Sequence, residues 1–335
     1  MNDPRRHKLL LQWVRNALND ASLEVHPASS DASFRSYLRT QSRGTSFVIM
    51  DAPPEREDTG PWLDIDARLR AVSLSAPEVM AVNREDGFIL MSDLGETNYL
   101  DVLNAETVDE LYRDAINAIH GMQTRIKPAG LPDYDAPRLQ AELDLFPEWF
   151  LHRHLGISLG ASEKLIIGRV FQKLIDSALE QPQVFVHRDF HSRNLMCLGT
   201  NNPGIIDFQD AVRGPITYDL VSLLRDCYIQ WPQEKVLAWV NHYRDRLARA
   251  SLIEEKELRF KRWFDWMGLQ RHIKVLGIFC RLCYRDGKPG YLKDLPLTLH
   301  YVLEVAGRNK DLGPFAQWLR EKIGDADITV PRVAS

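Results

Sequence analysis

Cysteine is scarce. The four in 335 residues (Cys197, Cys227, Cys280 and Cys283) are too few for a disulfide scaffold at this length. Cys280 and Cys283 make one C-x-x-C, but no second cysteine pair or histidine pair completes a zinc set, and their apolar surroundings read as a buried helix with core thiols. Long apolar runs are missing as well. Nothing approaches the ~20 residues of a membrane span, and Leu9, Leu10 and Leu11 are cut off by Gln12 and Arg15, too short for a signal-peptide core. A reducing cytoplasm is therefore the expected compartment. With 19 Gly and 18 Pro in no period, collagen-like sequence is excluded. Positive charge is not in excess: 42 Lys+Arg stand against 46 Asp+Glu, a net −4, so a nucleic-acid footprint is not expected. Two further absences are local. No lysine occurs between Lys8 and Lys127, and there is no G-x-G-x-x-G loop.

What is present begins with 44% hydrophobic and 26% charged residues, enough apolar surface to offset the ordering entropy of a folded chain. The net charge hides a division. Residues 1–212 carry 21 basic and 31 acidic side chains, and residues 213–335 carry 21 and 15. The last third therefore suits a neutral or anionic ligand better than a polycation.

Apolar positions at helical spacing predict a helix over 5–19. Small polar residues follow over 27–33. Phe34 to Arg39 and Ser46 to Met50 then read as strand, turn, strand, with further strands over 77–82 and 88–91. From residue 106 helical patterns dominate, over 106–123, 138–154, 161–180, 216–230, 233–249, 254–284 and 296–322, interrupted by short strands at 184–186 and 204–206. The expectation is an α+β chain of two lobes: a small sheet lobe over 1–95 that binds nucleotide, and a larger, mostly helical catalytic and substrate lobe over 96–335.

The chemistry concentrates in Val186-His187-Arg188-Asp189-Phe190-His191-Ser192-Arg193-Asn194, followed thirteen residues later by Asp207-Phe208 at the end of an apolar strand. Phosphoryl transfer needs this layout. One carboxylate receives and orients a hydroxyl nucleophile, here Asp189. An amide oxygen and a second carboxylate, here Asn194 and Asp207, hold magnesium, a hard cation that prefers oxygen.

At this point the chain resembles the kinase-like superfamily that joins protein kinases with the aminoglycoside phosphotransferase group. The resemblance implies a bilobal kinase-like fold, Asp189 as catalytic base, and Asn194 and Asp207 as magnesium ligands. Gly214-Pro215-Ile216-Thr217-Tyr218-Asp219 follows too soon after Asp207 for a substrate-peptide platform, so a small-molecule kinase is implied, with Asp219 bracing the catalytic loop. One departure stands out: the strand lysine that contacts the α- and β-phosphates falls at Met50. Arg35 or Arg39 could hold phosphate bidentately in its place, and the tip 29–33 would offer backbone amides in place of a glycine-rich loop.

A narrower set is also similar: Ser30 to Tyr37, Met50-Asp51-Ala52-Pro53-Pro54, Met91-Ser92-Asp93-Leu94-Gly95, the Asp189 and Asp207 motifs, and Gln270 to Phe279. These resemble the anomeric N-acetylmuramate/N-acetylglucosamine kinases of bacterial cell-wall recycling, over residues ~25 to ~305. The resemblance implies ATP-dependent phosphorylation of the C1 hydroxyl, with Mg²⁺, to an α-1-phosphate. A uridylyltransferase would take that product, and the bypass confers fosfomycin tolerance. Nucleotide contacts would come from Ser30, Ser33, Phe34, Arg35, Met50, Met91 and Asp93. Sugar contacts would come from His191, Asp210, Arg213, Trp231, Arg271 and Lys274, with Arg281, Trp263 and Trp266 also considered. The rival readings are a kinase of an aminoglycoside, choline or homoserine-like alcohol, and a nucleotide-binding pseudokinase.

Overall fold

Side chains alternate between the two faces of a strand, and three strands here divide their residues cleanly by that rule. A computed structural model of the chain describes residues 4–30, 35–254 and 256–331, without the side chains of Ser29 and Ser30. In β2 (Ser36–Ser42), β3 (Thr45–Asp51) and β5 (Phe88–Ser92), Leu38, Ile49, Phe88 and Leu90 share one face. They pack against Leu10 and Val14 of α1 (Pro4–Leu18). The other face carries Tyr37, Arg39, Val48 and Met91, with Val48 opposite Met91 in register. β1 (His26–Ser30) and β4 (Val79–Asn83) complete an antiparallel sheet of order β1-β2-β3-β5-β4. The β2–β3 turn places Arg43 and Gly44 both at positive φ, 50° and 80°, the requirement of a two-residue hairpin turn matched to strand twist.

α2 (Gly60–Ala71) buries Trp62, Ile65, Asp66 and Leu69 along one face. α3 (Tyr99–Val102) and α4 (Val108–Arg125) follow. The chain forms two compact units, one of residues up to 114 with 193–210, the other of 115–192 with 211 onward. Residue 95 lies within the first. The 193–210 segment brings to it the hairpin of β7 (Leu195–Met196) and β8 (Gly204–Ile205).

The second unit contains α5 (Ala136–Leu143), a π-helix (Phe146–His154), α6 (Ala161–Leu179), and β6 (Gln183–Val186) paired with β9 (Val212–Pro215). Then come α7 (Tyr218–Leu224), α8 (Gln233–Arg249), α9 (Glu257–Tyr284), α10 (Leu295–Arg308) and α11 (Gly313–Ile323). α9 runs through the middle, buried almost continuously from Met267 to Cys280. A Cβ on Gly277 would lie 2.5 Å from the Leu145 carbonyl, so glycine alone permits that close crossing. One five-stranded sheet and a helical majority agree with the α+β class read from the sequence.

Three helices are shorter than their periodicity predicts. The 138–154 pattern divides where Pro147 lacks an N–H. The 216–230 pattern ends at Leu224, because Asp226 turns away to hold another loop. The 296–322 pattern breaks at Asn309, whose backbone is extended. No helix among the described residues is long and apolar enough to cross a membrane.

Candidate active site

The cation-bearing face of the sheet walls a cavity of about 590 Å³ in the first unit. Val48, Met91, Trp62, Met196, Ile206 and Phe208 give it apolar sides, suited to a flat ring. Trp62 of α2 meets Phe208 with ring centroids 5.1 Å apart. At one end the chain just past β5 forms an ion-paired rim. Arg39 grips both oxygens of Asp93, at 2.6 and 3.1 Å, and also bonds the Gly95 carbonyl and Glu96. Ser46 donates to Asp93 at 2.6 Å. Burial works against the Asp93 carboxylate, but the hydrogen bonds from Arg39 and Ser46 outweigh it and hold its pKa below the usual range.

At another part of the wall stand Asn194 and Asp207. Asn194 Nδ2 donates to Asp207 Oδ2 at 3.2 Å, and the Ile206 amide donates to the Asn194 carbonyl at 3.2 Å. Gln209 Nε2 donates to Asp207 Oδ1 at 2.8 Å, while Gln209 Oε1 is buried without a hydrogen-bond partner in the protein. Asp207 has φ 62°, a left-handed conformation costly for any residue but glycine and characteristic of functional sites.

The second unit holds Asp189, its side chain 38% exposed. The loop before it is held from below by Asp219, which is fully buried and accepts from the His187 and Arg188 amides at 2.8 and 3.0 Å. Burial pushes Asp219 up to about 7 against those hydrogen bonds. The loop after Asp189 is tied by Asp226, which accepts from the Ser192 amide at 3.0 Å and from its hydroxyl. Arg188, at φ 78°, takes the strained position between.

Beneath Asp189 lies a network of buried charges. Arg271 Nη1 is 3.5 Å from Asp189 Oδ1 and donates to the Arg188 carbonyl at 2.7 Å. Lys274 Nζ lies 3.1 Å from Glu142 Oε1, which also pairs with Arg188, while Tyr134 donates to the other Glu142 oxygen. Arg271 and Lys274 both reach the Tyr218 hydroxyl at 3.2 Å. Burial alone would raise the Asp189 pKa. The positive charges of Arg271, Lys274, His191 and Arg188 outweigh it and hold the carboxyl far below its ordinary value.

The residues singled out from the sequence fall as follows. Asn194, Asp207, Met91 and Asp93 line one cavity, whereas Met50 shares the face of Val48 but is fully buried and is not part of the cavity wall. Arg35, just before β2, is also off that wall. Ser33 and Phe34 lie outside the described residues, as does the Ser30 side chain. Of the sugar candidates, Arg271 and Lys274 are 4% and 5% exposed and engaged in the Asp189 network. His191 sits edge-on to Tyr228 at 5.5 Å. Arg213 pairs with Asp133 at 2.6 Å on the surface, Asp210 is exposed, and Trp231 lines a separate cavity of about 520 Å³ with His300 and Tyr301. Trp263 is core, donating to Glu180 at 2.6 Å. Sequence reasoning missed Glu142 and Tyr134, and it met Arg188 and Asp226 only as members of matched stretches, without the roles they take here.

A model of the phosphotransferase enzyme family matches residues 24–260. The N-acetylmuramate/N-acetylglucosamine kinase of Pseudomonas putida is 44% identical over 327 residues, covering 94% of this chain and 96% of that protein. The kinase of the same name from Pseudomonas aeruginosa is 42% identical over 331 residues, covering 95% and 97%. An ADP-bound aminoglycoside phosphotransferase aligns with TM-score 0.59 over 91% of this chain and 99% of its own, at 15% identity, a likeness of fold.

Proposed function

This chain belongs to the phosphotransferase enzyme family, and we propose that it uses ATP and Mg²⁺ to phosphorylate the C1 hydroxyl of N-acetylmuramate and N-acetylglucosamine. The single observation that carries the acceptor is the near-full-length likeness to kinases of that name. The geometry supports the reaction class, with an ionised carboxylate on a twice-anchored loop and a cavity bearing an amide–carboxylate pair.

In this reading residues 1–95 serve the nucleotide and 96–335 serve catalysis and the sugar. The apolar walls at Val48 and Met91 take the adenine. Asn194 and Asp207 would hold the magnesium. Their donor set fits it: two hard oxygen donors, with the orphaned Gln209 oxygen beside them, leave room for phosphate and water ligands. When bound, the ion supplies charge neutralisation at the β- and γ-phosphates.

Asp189 orients the sugar. It accepts the C1 hydroxyl proton as that oxygen bonds to the terminal phosphorus and the bridging oxygen leaves with ADP. Arg271 and Lys274 keep Asp189 ionised at every physiological pH, which makes it a weak base. Its work is positioning, with the proton received late in the transfer. The electropositive last third suits the lactyl carboxylate of N-acetylmuramate, with His191, Arg213, Asp210 and Trp231 as further contacts. The product would pass to a sugar-1-phosphate uridylyltransferase in the cytoplasm, within peptidoglycan recycling.

A ³¹P spectrum of the reaction with each sugar tests this. The expected result is an α-1-phosphate. Phosphate at another position, or turnover only of a different alcohol, overturns the acceptor.

A further inference from the structure

The geometry points to Arg281 as the residue that binds the carboxylate of N-acetylmuramate and so sets how that sugar ranks against N-acetylglucosamine, an inference that rests on the acceptor reading above. The two sugars differ at one place. N-acetylmuramate carries an acidic lactyl ether on its C3 oxygen, whereas the C1 hydroxyl is common to both. The carboxylate therefore needs a cation that stands clear of Asp189 and that the protein has not already balanced. Other cations of the last third fail that test. Arg271 and Lys274 are buried in the Asp189 network, Arg213 pairs with Asp133 at 2.6 Å, and Arg285 pairs with Asp286 at 2.8 Å.

Arg281 passes it. The side chain is half-buried, makes no hydrogen bond or ion pair among the described residues, and has its Nε buried without a partner. Burial and the like charge of Arg285 work against its cation, so an anion brought by a ligand is the counter-charge it lacks. Helix α9 fixes its place. Lys274, Ile278 and Arg281 follow at i, i+4 and i+7, one face of the helix, and Arg271 just before them meets Asp189 at 3.5 Å. Between Met267 and Cys280 every residue of α9 is buried except Ile278. That face is thus covered at Arg271 and Lys274 and opens one turn later, just before Arg281. Arg281 lies about 10 Å beyond Lys274 along the axis. Long helical side chains lean toward the helix N-terminus, which directs Arg281 back along the face toward Ile278 and Asp189. The loop after Asp189 follows the same stretch of α9: His191 meets Tyr228 at 5.5 Å, and Tyr228 meets Phe279 at 6.2 Å. A sugar with its C1 hydroxyl at Asp189 then lies along the open segment, its acidic arm toward Arg281, whose planar fork matches both carboxylate oxygens.

The test is steady-state kinetics with N-acetylmuramate, its neutral carboxamide and N-acetylglucosamine, on the wild type, Arg281→Ala, Arg281→Gln, Arg281→Lys and Arg285→Ala. In the wild type the KM for the carboxamide should exceed that for the acid by about tenfold or more. Arg281→Ala should raise the KM for N-acetylmuramate to that of the carboxamide. Its KM for N-acetylglucosamine, and kcat for all three sugars, should stay within about twofold of wild type. Arg281→Gln, which keeps the bulk and loses the charge, should behave alike, and Arg281→Lys should recover part of the affinity for the acid. Arg285→Ala should change neither KM. An equal rise of KM for both sugars in the Arg281 variants, a selective loss in Arg285→Ala instead, or a wild type that takes acid and carboxamide alike overturns the assignment. A wild type that phosphorylates neither sugar overturns the acceptor reading beneath it.

Discussion

The two units treat positive charge in opposite ways. The sheet-bearing unit has no lysine after Lys8, and among the described residues two arginines line its cavity, Arg39 being ion-paired with Asp93 and Glu96. The helical unit buries Arg271 and Lys274, with a half-buried Arg188, around Asp189 and balances them with Glu142 and Asp189. A buried cation survives only with a carboxylate and hydrogen bonds to offset its lost hydration. The second unit meets that condition with protein groups. Substitutions in the helical network should therefore act on kcat and stability, and those on the cavity wall on nucleotide affinity.

The largest expected effect is at Asp189. Asp189→Asn keeps the shape, removes the proton acceptor, and should lower kcat by about 10²–10⁴-fold. MgADP affinity should stay within about twofold of wild type. Steady-state kinetics with calorimetry checks both. A comparable loss of nucleotide binding would erase the division between the units.

Next comes Glu142. Glu142→Ala leaves Arg188 and Lys274 buried around a missing partner, and removing one side of a buried pair costs about 3–5 kcal/mol. Denaturant unfolding at pH 7.5 measures it. A loss under 1 kcal/mol would show that the network is not a coupled unit. Arg39→Gln on the cavity rim breaks a part-exposed pair and should cost no more than about 1 kcal/mol of stability, its main effect being on MgADP affinity by calorimetry.

How much of this was legible beforehand follows from the range of the interactions. Asp189, Asn194 and Asp207 announce themselves because their roles fix local spacing along one stretch of chain. The strands were legible for the same reason, but not which face meets α1, since Phe47 to Met50 and Phe88 to Met91 are apolar throughout. Glu142 was not, because it sits 46 positions before Arg188 and its carboxylate looks like any helical surface acid until tertiary packing buries it. Arg271 and Lys274 stood out only as cations in a positive region. Their place beneath Asp189 depends on α9 passing through the middle of its unit, which no local pattern records. The β1 strand was read as small polar loop because His26-Pro27-Ala28-Ser29-Ser30 lacks β-branched residues, and register with β2 alone makes it a strand.

The smallest effect tests the rule from the side of a group that has no carboxylate. His272 is fully buried on α9, stacked on Tyr301 at 4.7 Å, with Nε2 2.9 Å from the Arg225 carbonyl. Burial pushes its pKa down to about 3, and the nearby Arg225 and Arg271 charges add to that against the carbonyl hydrogen bond. It is therefore neutral when folded, whereas in the unfolded chain it binds a proton below about 6.5. Its contribution is full above that value and falls as pH drops toward 3, by about 1.4 kcal/mol per pH unit once the unfolded form is protonated. His272→Gln keeps a donor for the Arg225 carbonyl and removes the titration. Between pH 7.5 and 5.5 the variant should lose about 1 kcal/mol less stability than wild type in urea unfolding. Equal losses would mean that His272 accepts its proton in the folded state, and that burial in this unit does not require a carboxylate partner for charge.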